Sequence, residues 1–144
     1  MTRKRWANLS LKERRIKVAE LCGWVKSGRR SLTTGSPEGQ VWKNSMHDGN
    51  SFKPIIVHYF DLPDYLNDLN AMYDAEAILT NNNDLTSRLD NIARYEHILS
   101  TIAESAYNTM HSWKLLHATA AQRAEAFVLT MEMEMENERD IWEY

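Results

Sequence analysis

Lys26, Arg29 and Arg30 sit close together on a polar stretch that follows Trp24, and Trp42 comes shortly after. Guanidinium groups grip phosphate through paired N–H donors, an ammonium adds a point charge, and indole faces stack on bases. These five residues are the first candidates for a site that takes an anionic ligand such as a nucleotide. They equally describe a solvated basic loop anchored by two core tryptophans, and the sequence leaves both readings open.

Other residues capable of chemistry are less well placed. Asp61, Asp64 and Asp68 are spaced to share a helix face, where paired carboxylates can bind Mg²⁺ or move protons. Acids are also expected at a helix start for capping and for the helix dipole. His47, His58, His97, His111 and His117 show no metal-ligand spacing. Cys22 is the single cysteine, which excludes an intrachain disulfide and a cysteine-rich zinc site. No G-x-S-x-G elbow and no phosphate-binding glycine loop occurs. The expectation is no catalytic residue, no metal and no cofactor.

The formal charge of −3 conceals a division. Residues 1–53 carry twelve Lys/Arg against four acids, whereas residues 54–144 carry five against sixteen. Such polarity suits an anionic ligand or self-association, or else the halves neutralise each other within one fold. Duplex nucleic acid ranks third as a partner, because the acidic remainder opposes a phosphate backbone. No apolar run approaches the roughly 18 residues of a membrane span, so a cytoplasmic setting is expected.

The elements that must position these residues follow from spacing. Ser10 with Glu13 and Thr119 with Gln122 each fit a capping box. The first predicts a helix to about Cys22, stopped by Gly23, with Leu11, Val18, Ala19 and Cys22 on one face. The second predicts a helix over 119–131, with Ala120, Ala121, Ala124, Phe127, Val128 and Met131 inward and Gln122, Arg123 and Glu125 in water. Asp61 predicts a helix over 62–79, and Asp84 one in which Leu85, Leu89, Ile92, Leu99, Ile102, Ala106 and Met110 form a core stripe. Between them, 24–60 is glycine-rich, then β-branched, and predicts a small β element with a strand near 54–60. The class is α+β, predominantly helical: three to four amphipathic helices and a small β element in one domain, 1–144. The Met-Glu tail 132–144 reads as a helical extension or a flexible acidic tail. Met131, Met135, Ile141 and Trp142 are the candidates there for a partner or self-association surface.

Three ordered segments also carry a resemblance. IKVAELCGW at 16–24, LPDYLNDLNAMYDAEAIL at 62–79 and HATAAQRAEAFVLTM at 117–131 together resemble small proteins of bacteriophages and prophages, related to the phage ABA sandwich domain group. The resemblance implies helices flanking a small sheet and a setting in the bacterial host cell. This chain departs from the pattern at 80–115, which reads helical, and in its acidic tail. The resulting expectation is a non-enzymatic accessory protein that docks on a host or phage protein, for instance to inhibit a defence system. The alternative is a homo-oligomer sequestering an anionic nucleotide signal.

Overall fold

Three helix starts are built as their sequences dictate. In the computed structural model, the Glu13 carboxylate accepts from the Ser10 backbone N–H at 2.7 Å, and Ser10 Oγ accepts from the Glu13 N–H at 3.2 Å. Thr119 and Gln122 form the same reciprocal pair, and Asp84 accepts from the Ser87 N–H at 3.0 Å. Each device satisfies donors that a helix start leaves unpaired.

The structure describes residues 1–30, 40–44, 55–58, 61–81, 84–103 and 115–132, without the side chains at 27–30, 40–41, 55–56 and 58. In order, the elements are α1 (Arg3–Asn8), α2 (Leu11–Leu21), β1 (Trp24–Arg30), β2 (Gln40–Asn44), β3 (Ile55–His58), α3 (Leu69–Glu76), α4 (Leu85–Ala103) and α5 (Ala120–Met131). A 3₁₀ turn, Ala77–Thr80, extends α3. The chain is therefore mostly helical with a small antiparallel sheet, the expected class. Its backbone gathers into two compact units, one of Met1–Val18 with Asp64–Tyr144, the other Ala19–Pro63.

The smaller unit is the three-stranded sheet, ordered β1-β2-β3 with both pairings antiparallel. Gly23 precedes it at φ 88°, a left-handed conformation that side-chain-bearing residues resist, and so ends α2 as predicted. The predicted strand near 54–60 is β3.

The larger unit packs α4 and α3 against α5. Phe127, Val128 and Leu129 are fully buried, as are Ala124 and Ala126, and Thr130 is buried beside them. A helix enclosed on nearly all sides is the centre of its core. Burying each large apolar side chain contributes about 1.5–3 kcal/mol.

Four expectations need correction. Arg123, assigned to water, is only 8% exposed, because the Glu76 carboxylate and two backbone carbonyls accept its donors there. Ala121, assigned inward, is exposed, while Ala126 and Leu129 are enclosed. The helix expected over 62–79 is α-helical only from Leu69. Asp64 instead nucleates a turn, accepting from Asn67 Nδ2 at 3.0 Å, and Asp68 becomes the helix cap. The apolar stripes are also not wholly core: Leu11 is 71% exposed, Leu85 59% and Leu89 57%. On α4, burial begins at Tyr95 and continues through Ile98, Leu99 and Ile102, so its first turns present leucines to solvent.

Candidate functional site

A cavity of about 350 Å³ opens in the larger unit, between the end of α3, the middle of α4 and the start of α5. Its size falls within the usual range for small-ligand sites, roughly 300–1,000 Å³. The 3₁₀ turn contributes Leu79 and Thr80, α4 contributes Ile92, Tyr95, Glu96 and Leu99, and the helical turn at 115–117 contributes Leu115 and Leu116. Ile92, Glu96 and Leu99 recur at helical spacing, which aligns them along one side of α4. Leu85 and Leu89 continue the same row toward the helix start. Leu116, 73% exposed, stands at the opposite wall.

The polar part of the wall is a clamp of three side chains. Arg123 Nη1 donates to Glu76 at 3.1 and 3.3 Å, Nη2 donates to the Leu115 carbonyl at 2.8 Å, and Nε donates to the Ala118 carbonyl at 3.3 Å. The Tyr95 hydroxyl donates to the same Glu76 carboxylate. The guanidinium also lies 5.1 Å from the centroid of the Tyr73 ring, a cation–π distance. Burial pushes the Tyr95 phenol well above its ordinary range, and the hydrogen bond to Glu76 adds to the effect. Burial opposes charge on Arg123, but the hydrogen bond to Glu76 and its charge outweigh that and hold the guanidinium above its ordinary value.

This chemistry is structural. All three guanidinium nitrogens donate, in four hydrogen bonds, so Arg123 has little left for an anion. Tyr95 stays protonated at any physiological pH and cannot serve as a base. The clamp fixes α3, α4, α5 and the 115–118 backbone around the cavity. Glu96 differs: it lines the cavity, is exposed, and has no hydrogen-bond or ion-pair partner among the described residues.

The residues singled out in the sequence are distributed otherwise. Trp24, Lys26 and Trp42 do come together on the sheet, with Lys26 opposite Trp42 in the β1–β2 register and its Nζ 5.6 Å from the indole centroid. Trp42 is 1% exposed and Trp24 8%. Their rings are part of the interior, so neither offers an open face to a base. The side chains of Arg29 and Arg30 lie outside the described residues, as do Met135, Ile141 and Trp142. Met131 is the last residue of α5, half-buried.

Asp64 and Asp68 are engaged in turn and cap, and no group of three or more His, Cys, Asp or Glu side chains among the described residues is arranged to hold a metal ion. Cys22 is buried. The charge division is partly resolved by pairing: Arg3 Nε meets Glu125 at 2.8 Å, and Lys17 meets Glu132. No described helix is long and apolar enough to cross a membrane. No family model, curated protein or solved structure matches the chain.

Proposed function

We propose that this is a non-enzymatic protein-interaction module, and that it docks a partner protein through the leucine row of α4 and the cavity at its end. The observation that carries this reading is the exposure of Leu85 and Leu89 on the α4 row that leads to an apolar cavity, and of Leu116 on the cavity wall, where the Arg123–Glu76–Tyr95 clamp is already satisfied by its own members. Exposed apolar surface next to a concavity is where an anchor side chain of a partner loses most water. Rigid support from a buried clamp is what such a surface needs to bind without reorganising. The setting suggested by the three sequence segments, a phage-type accessory protein acting on a host or phage factor in the bacterial cytoplasm, belongs to the same proposal. Inhibition of a host defence is its expected use.

A nucleotide-sequestering role centred on Trp24, Lys26, Arg29, Arg30 and Trp42 draws less support, because both indole rings are buried. Capture from bacterial lysate separates the two readings. The wild-type protein, a Leu85→Lys/Leu89→Lys variant and a Lys26→Glu variant are compared after each is shown to be folded. The docking reading expects a specific partner retained by Lys26→Glu and lost by the leucine variant. The reverse pattern, or no specific partner, contradicts it.

A further inference from the structure

Within the docking reading, the polarity of the cavity selects its occupant. Among the described residues, three charged side chains line it: Glu76, Glu96 and Arg123. The Glu76 and Arg123 charges cancel in the clamp, and Tyr95 adds a second donor to the Glu76 carboxylate. That leaves Glu96, a carboxylate without a partner among the described residues, beside walls made of Ile92, Leu99 and the two leucines at 115 and 116. The volume is about 350 Å³, against roughly 150 Å³ for an engineered dry cavity that takes up benzene. An aromatic or branched aliphatic side chain therefore fits with room for a polar head near the opening.

We infer that the cavity receives an apolar side chain of the partner protein with an adjacent lysine or arginine, the apolar part resting on Ile92 and Leu99 and the cation meeting Glu96. An anion is disfavoured at the same place, since Glu96 repels it and the Arg123 donors are committed elsewhere. A neutral group leaves Glu96 with water alone. Charge-assisted hydrogen bonds are roughly twice as strong as neutral ones, so the sign of the head group is what discriminates.

The test uses 4-phenylbutylammonium as a surrogate for the anchor, with 4-phenylbutanol and 4-phenylbutyrate as controls of like shape, each titrated into the full chain by calorimetry. The ammonium compound is expected to bind about tenfold more tightly than the alcohol, which corresponds to about 1.4 kcal/mol, and the carboxylate more weakly still. Glu96→Gln, at an exposed position that leaves the core alone, is expected to erase the difference between ammonium and alcohol. Ile92→Phe, which occupies the cavity, is expected to weaken all three. Equal binding of the three compounds, a preference for the carboxylate, or no binding overturns the inference. Failure here with continued leucine-dependent capture of a partner would remove the cation preference and leave the docking surface standing.

Discussion

Arg123 and Glu76, 47 residues apart, share two hydrogen bonds across the wall of the cavity, and this pair joins α3 to α5. With side chains only 10% and 17% exposed, neither can recover full hydration if the other is removed. Glu76→Ala is expected to cost about 2–4 kcal/mol, just under the usual figure for a broken buried pair because some solvent reaches Glu76. The Glu76→Leu/Arg123→Met double variant should be markedly less destabilised than the sum of its singles, since it leaves no orphaned charge. Urea denaturation of the four proteins provides the cycle. Additive losses would mean that the two residues do not act as a pair.

Truncating an apolar side chain should have very different consequences in the core of α5 and on the exposed row of α4. Phe127→Ala opens a cavity at a site with no solvent access and is expected to cost about 3–5 kcal/mol. Leu89→Ala, at 57% exposure, should stay within about 0.5 kcal/mol. Comparable losses at both sites, measured by chemical denaturation, would place Leu89 in the core and remove it from the docking surface.

Acid should loosen two helix starts first. The hydrogen bonds from Ser10 hold Glu13, and those from Ser87 hold Asp84, below the ordinary carboxylate range. A carboxylate with a depressed folded value stabilises above its unfolded value of about 4 and loses that contribution as pH falls through the folded one. The first turns of α2 and α4 are therefore expected to fray in acid while α5, capped by the neutral Thr119–Gln122 pair, keeps its start. Carboxyl-detected NMR titration checks this. Ordinary values for Glu13 and Asp84 would contradict it.

How much of this was legible in the sequence depends on the range of the interaction. The boxes at Ser10–Glu13 and Thr119–Gln122, the Asp84 cap and the Gly23 stop are written within four residues, and all four are realised. The small β element and its strand near 54–60 follow from glycine-rich and β-branched composition. Arg123 was misplaced because helical periodicity assigns an arginine to water, and nothing local announces Glu76 or Tyr95 as partners. The one local hint is that Ala120, Ala126 and Phe127, one turn before and after it on α5, are all apolar. Leu85 and Leu89 were misassigned for the complementary reason: a continuous stripe shows that a face is apolar but not where the covering elements stop. The sequence describes Trp24 and Trp42 equally as open stacking faces or as core anchors, and only their burial in the fold decides between the two.

The most direct measurement of the central claim is a methyl NMR titration of the full chain with 4-phenylbutylammonium. Saturable shifts concentrated on Ile92, Leu99 and Leu116, with Leu11 and Val25, both exposed away from the cavity, unmoved, are the predicted result. Shifts spread over all exposed apolar residues, or gathered around Trp24 and Val25 on the sheet, would contradict the assignment of the cavity as the recognition site.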